Sequence, residues 1–166
     1  MKLKRFLLVT LLVLGMSLNS TSASVAISWQ EQMLQSLNSM RAQKSLKPLE
    51  MCKQLTRAAQ KYARTMAQQD FLSHTGKDGS DMGERIQAAG YDWKNSKTGS
   101  SIAENIAAGQ NSVAEVMKGW KNSTSHYRNM TNTKFTHVGF GMSVNQKSKY
   151  KKYWVQNFGS GASCQS

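Results

Sequence analysis

A carboxylate set between two isoleucines is the chemical oddity of this chain. In Ser101-Ile102-Ala103-Glu104-Asn105-Ile106-Ala107-Ala108-Gly109, strand alternation puts Ile102, Glu104 and Ile106 on one face and Ala103 and Asn105 on the other. A carboxylate on an apolar face is costly to bury unless a cation or hydrogen-bond donors meet it. Histidines are the scarce candidates, and the chain has three: His74, His126 and His137. Two neutral imidazoles beside such a carboxylate can hold a zinc-like divalent cation, with the carboxylate as ligand or as the group that orients a ring. Without metal, a Glu–His pair can hold a polar ligand or do general acid/base work.

Each histidine also has an ordinary reading. His74 follows Phe71-Leu72 at the end of a helix, where a histidine can cap the last carbonyls. His126, just after Ser125, fits an exposed helix start, and His137 an exposed strand position on the face opposite Val138 and Phe140. Glu84 and Glu115 fall at third helical positions and read as capping-box acids. There is no G-x-S-x-G nucleophile signature, and neither cysteine looks catalytic. The methionine stripes on the helices read as core rather than a copper site, since no cysteine or histidine accompanies them at ligand spacing.

The elements that must position these residues follow from capping and periodicity. Ser28-Trp29-Gln30-Glu31 reads as a capping box, and Met33, Leu37 and Met40 carry a helical stripe that Pro48 ends. A second helix is expected from about Glu50 to Gln69, with Leu55, Ala58, Ala59, Tyr62 and Met66 inward. Its basic row of Lys53, Arg57, Lys61 and Arg64 reads as a solvated face. A short helix is expected over about 80–89, closed by Gly90. After the Glu104 strand come a helix opened by Ser112 and holding Trp120, and one more turn, capped by Ser125 or a neighbouring hydroxyl, carrying His126. Val138, Phe140, Met142 and Val144 then alternate with Gly139 and Gly141, and Tyr153-Trp154-Val155-Gln156-Asn157-Phe158 is bulky on both faces. Trp120 and Trp154 read as core or cleft wall. A strand covered on both faces requires layers above and below, so the expectation is an α+β domain with helices flanking a small sheet.

The N-terminus has its own pattern. Met1-Lys2-Leu3-Lys4-Arg5, an apolar run from Phe6 to Leu14, and Thr21-Ser22-Ala23 read as a signal peptide over residues 1–23, too short in its apolar run to span a bilayer comfortably. The remainder, 24–166, is expected to be one exported domain. Lys2, Lys4 and Arg5 leave with the leader and no acid does, so the net charge falls from +13 to +10. All nine acids lie at or before Glu115, and eight Lys/Arg follow it. That imbalance favours anionic partners (acidic lipid, cell-wall polymer or nucleic acid), with solubility as the plain alternative. No basic run is interleaved with aromatics as a nucleic-acid platform requires. Cys52 and Cys164 fit no zinc motif, and in an oxidising compartment a single bridge between them is expected to tie the tail to the start of the second helix.

Five segments together resemble a known family: Leu37-Asn38-Ser39-Met40-Arg41 with Pro48-Leu49; Phe71-Leu72-Ser73-His74; Ala103-Glu104-Asn105-Ile106-Ala107; Trp120 through Ser125-His126 to Val138-Gly139-Phe140-Gly141; and Tyr153 to Gly159. They resemble the CAP superfamily (cysteine-rich secretory, antigen 5 and pathogenesis-related class 1 proteins), in its bacterial secreted branch, over roughly residues 30–159. The resemblance implies a three-layer α-β-α sandwich with a small central antiparallel sheet and a cleft of two histidines and two acids. His74, Glu104 and His126 match three of those four positions; Ser123 stands where animal and plant members carry the second acid. Glu115 could replace that acid only if its helix faced the cleft. Two histidines without a secure third protein ligand would make a loose metal site. Relatives are associated with binding sterols, fatty acids or other lipids and with cell-envelope interactions. The expected function is therefore a secreted or periplasmic, monomeric binding module for a lipid, sterol or anionic envelope component, its cleft open to a divalent cation such as zinc. A metal-assisted hydrolase of peptide, ester or cell-wall bonds is the alternative, and a purely structural envelope or adhesion protein, suggested by the basic surface, the weaker third. The incomplete set of acids and the missing nucleophile favour binding.

Overall fold

The computed structural model describes residues 26–95 and 99–164. The leader expected over 1–23 lies outside them. Elements follow in the order α1 (Trp29–Ala42), β1 (Glu50–Met51), α2 (Lys53–Gln69), α3 (Met82–Ala88), β2 (Ser101–Ala108), α4 (Val113–Asn122), α5 (Thr124–Met130), β3 (His137–Val144) and β4 (Lys152–Ser160). The fold is α+β, with helices on both faces of one four-stranded sheet of order β1-β3-β4-β2. Three strands are antiparallel, as expected, but β1 runs parallel to β3, so the sheet is mixed. That short strand also corrects the start of the second helix. Glu50 and Met51 pair with His137 and Val138, Cys52 occupies the N-cap, and helical geometry begins at Lys53. Likewise α1 stops at Ala42, well before Pro48, in a turn where Ser45 takes a left-handed φ of 56°.

The alternation of Val138, Phe140 and the two glycines decides how the layers meet. The apolar side of β3, with Trp154 and Phe158 of β4, packs on Met33, Leu37 and Met40 of α1 and on Val116, Met117 and Trp120 of α4. The glycine side admits α2. A Cβ on Gly139 would fall 2.2 Å from the Leu55 and Thr56 backbone, and one on Gly141 2.2 Å from that of Ala59. With Ala59 against Gly141, small residues on both partners let helix and sheet approach closely. Arg41, although charged, is buried at the end of α1; it donates to the carbonyls of Lys47, Met130 and Asn132 and so ties α1 to the exit of α5.

The tail is fixed by the expected bridge between Cys52 and Cys164, their Cα atoms 5.5 Å apart and 112 residues apart in sequence. Closing so long a loop stabilises by up to ~4–5 kcal/mol in the chain-entropy description. The basic hairpin between β3 and β4 is pinned in turn. Asp70, the left-handed C-cap of α2, accepts at one oxygen from Lys149 N and from the Tyr153 hydroxyl, both at 2.8 Å.

Candidate functional site

Glu104 sits in mid-β2 on the face that α2 and α3 cover, its side chain 2% exposed. His74 Nδ1 lies 2.9 Å from Oε1. The cation that meets the carboxylate is one that sequence reasoning missed: Arg85 of α3 places Nη2 3.1 Å from both Oε1 and Oε2. A carboxylate on an apolar face asks for any cation, and histidines drew attention only by being few. Arg85 stood inside what reads as a capping-box helix, and nothing local in Asp81-Met82-Gly83-Glu84-Arg85 marks it. The signal lay in the demand of Glu104 itself, once charged partners other than histidine are considered.

The guanidinium is held on every side. Its carbon lies 3.5 Å from the centre of the Tyr62 ring, Nη1 donates to Ser80 O at 2.7 Å, and Nη2 also donates to His74 O at 2.9 Å. The Tyr62 hydroxyl donates to Ser73 O at 2.6 Å. Burial, ahead of the neighbouring charges, pushes its ionisation above the usual phenol range and keeps it a donor. Tyr62 and Arg85 thus clamp the backbone of Ser73-His74 and present the His74 ring, which is 57% exposed. Because a carboxylate only accepts, Nδ1 carries the proton in this pair, leaving Nε2 as the second nitrogen of an exposed ring.

His126 is positioned from the opposite face of β2. Asn105 donates to His126 O at 3.2 Å and to Gln156 Oε1 at 3.0 Å, while Asn129 donates to Asn105 Oδ1 at 2.8 Å. These amides, with Asn105 and Gln156 fully buried, lock α5 onto the strand beside Glu104. Burial first, then the charge of nearby His74, hold the His126 imidazole below its ordinary range, so it is neutral at pH 7. Among the described residues His126 makes no hydrogen bond to Glu104; it meets the pair through the field of His74. Ser123 links α4 to α5 as the N-cap of α5 with no side-chain capping bond, its hydroxyl 3.3 Å from that of Ser125. Glu115 accepts from Asn111 N and serves the start of α4. Glu84 completes a reciprocal capping box with Asp81.

His137 departs from the exposed position expected of it. Tyr91 packs over Gly159, where a Cβ would stand 2.7 Å from the ring, and brings its hydroxyl 2.9 Å from His137 Nδ1. The edge that looked open is covered by β1 and by this tyrosine. Burial pushes the Tyr91 ionisation up to about 12 and pulls that of His137 down, so the phenol donates to a neutral ring.

Both oxygens of Glu104 are engaged by Arg85 and one also by His74, so the carboxylate fits the role of ring orienter and does not fit that of metal ligand. Among the described residues no group of three or more His, Cys, Asp and Glu side chains is placed to hold a metal ion. Nor, among them, is any helix long and apolar enough to cross a membrane.

Known proteins resemble this chain in sequence and in fold. The family model described as the cysteine-rich secretory protein family matches residues 34–158. The Bacillus subtilis protein YkwD is 29% identical over 123 residues, 74% of this chain and 46% of that protein. The membrane protein YlbC of the same organism is 27% identical over 129 residues, 78% of this chain and 34% of that protein. The chain therefore spans less than half of either. Among solved structures, an extracellular protein containing an SCP domain from Bacillus anthracis is 27% identical with a TM-score of 0.65, covering 78% of this chain and 39% of that one. An outer surface protein from Borrelia burgdorferi shares the fold at 22% identity and a TM-score of 0.66, covering 79% of this chain and 91% of that one.

Proposed function

Because the chain belongs to the cysteine-rich secretory protein family, we propose that it is an exported binding module whose His74–Glu104–His126 cleft holds a lipid, a sterol or an anionic cell-envelope component. The leader-like residues 1–23 and the extracellular and outer-surface proteins that share its fold support export. One observation carries binding over catalysis. Arg85 contacts both oxygens of Glu104, and a carboxylate whose oxygens are both occupied is poorly placed to take a proton from water. What the clamp presents instead is a fixed, half-open imidazole, with Leu72, 42% exposed, two residues before it as apolar surface.

The test is retention of lipid. Wild type, His74→Ala and Leu72→Asp are incubated with vesicles of phosphatidylglycerol and oleate, re-purified, and the bound lipid is counted by mass spectrometry. Wild type retains lipid and both variants retain less; equal retention by all three, or none by wild type, removes the reading.

A divalent cation such as zinc is the second occupant proposed for the cleft. His74 through Nε2 and His126 would hold it, with Glu104 fixing the His74 tautomer. The lowered ionisation of His126 supports this, since only a neutral imidazole ligates. A cation there would supply Lewis-acid polarisation of a bound oxygen. Metal analysis decides: His74→Ala and His126→Ala each lose the ion, whereas full stoichiometry in both removes the site.

A further inference from the structure

A concavity lies beside Arg85, between α2 and α3, with a volume of about 350 Å³. Its two walls carry opposite charge. Arg57 and Lys61 line it from α2, Asp78 and Glu84 from α3 and the turn before it, and Ala58 and Ala88 add apolar surface. Arg85 also reaches it, but that charge is committed to Glu104. Arg57 in turn donates Nη1 to Ala89 O at 3.3 Å, so the remaining charges are this partly engaged guanidinium and the Lys61 ammonium, with the carboxylates of Asp78 and Glu84, around an apolar body.

The polar groups there are only partly used. Glu84 accepts from the N-cap amide of Asp81 at Oε2 and keeps a second oxygen, while Asp78 accepts from Ser80 N at Oδ1 and is also hydrogen-bonded by the Ser80 side chain. The Lys61 ammonium has no partner among the described residues. Arg57 and Lys61 are one helical turn apart, a like-charge pairing that disfavours the helix unless an anion sits between them. The basic row that reads as a solvated face in sequence thus forms one side of a groove of ligand size.

From this charge separation we propose that the α2–α3 groove binds a short zwitterionic peptide of small residues. Its C-terminal carboxylate lies against Arg57 and Lys61, its N-terminal ammonium against Asp78 and Glu84, and its small side chains on the alanines. A lipid carboxylate would satisfy one wall and leave the acidic one unanswered. The groove shares Tyr62, Ser80 and Arg85 with the clamp behind His74, but His74, Glu104 and His126 do not line it, so this inference stands whether or not that cleft takes a lipid.

The experiment is an amide NMR titration of the full mature chain with trialanine, N-acetyl-trialanine, trialanine amide and octanoate. Trialanine should bind with shifts confined to α2 and α3, and blocking either terminus should weaken it about tenfold or more, the loss of one charge-assisted hydrogen bond. Lys61→Met should weaken trialanine and leave the amide unaffected. Glu84→Gln, which keeps the helix cap, should weaken trialanine and leave the acetylated peptide unaffected. No binding of trialanine, equal binding of the blocked peptides, shifts elsewhere in the chain, or tighter binding of octanoate at these residues would each overturn the proposal.

Discussion

At the scale of single residues, the site depends on one buried charge and the groups that neutralise it. Glu104 is nearly inaccessible and Arg85 is 13% exposed, so the pair sits where breaking it costs more than forming it gains. Arg85→Met should therefore destabilise by about 3 kcal/mol in urea unfolding, and adding Glu104→Gln should recover part of the loss. Equal stability of wild type and Arg85→Met would show that water already screens the contact. The two half-buried histidines set a pH dependence. His126 and His137 are both pulled below the ordinary histidine range, so in the acid range the unfolded chain binds more protons than the folded one. Their contribution to stability is complete above a pH of about 6.5 and is lost as pH falls from there through the depressed folded values. His137→Asn, which keeps an acceptor for the Tyr91 hydroxyl, should make the unfolding midpoint less sensitive to pH between about 7 and 5. An unchanged slope would mean that His137 titrates alike in both states.

At the scale of elements, the approach of α2 to the sheet sets the geometry that Tyr62 and Arg85 exploit. Gly139→Ala drives a methyl into the backbone of α2 and should cost about 3 kcal/mol or more, with loss of the close helix–sheet packing. Gly119 in α4 has open space around it, so Gly119→Ala should stabilise by about 0.5–1 kcal/mol. Similar effects for the two substitutions would contradict the packing account. This glycine pattern was legible in sequence as a strand with one small face, and so was the alternation that placed Glu104 with Ile102 and Ile106. Arg85 was not, because its contact with Glu104 spans 19 residues and exists only once α3 docks on β2. The two residues of β1 were equally hidden. They are too few to show a period, and their pairing with His137 and Val138 depends on a return of the chain more than 80 residues later. The same edge pairing is what covered His137.

At the scale of the molecule, the proposed function joins two features, a basic C-terminal half that would meet anionic surfaces and a His74 cleft that would hold a ligand. If the residues after Glu115 recruit acidic envelope surfaces, binding to phosphatidylglycerol vesicles should fall steeply with added salt and weaken further when Lys147, Lys149, Lys151 and Lys152 are neutralised. Equal binding to neutral vesicles would make that charge incidental. In the proposed function Glu104 is a structural anchor of a binding cleft and not a catalytic base. The most direct measurement compares purified wild type with Glu104→Gln, assaying ester and peptide hydrolysis with and without zinc alongside lipid retention. No turnover by either protein and similar lipid retention by both are expected. Zinc-dependent hydrolysis by wild type that disappears in Glu104→Gln would contradict that expectation and make this chain an enzyme.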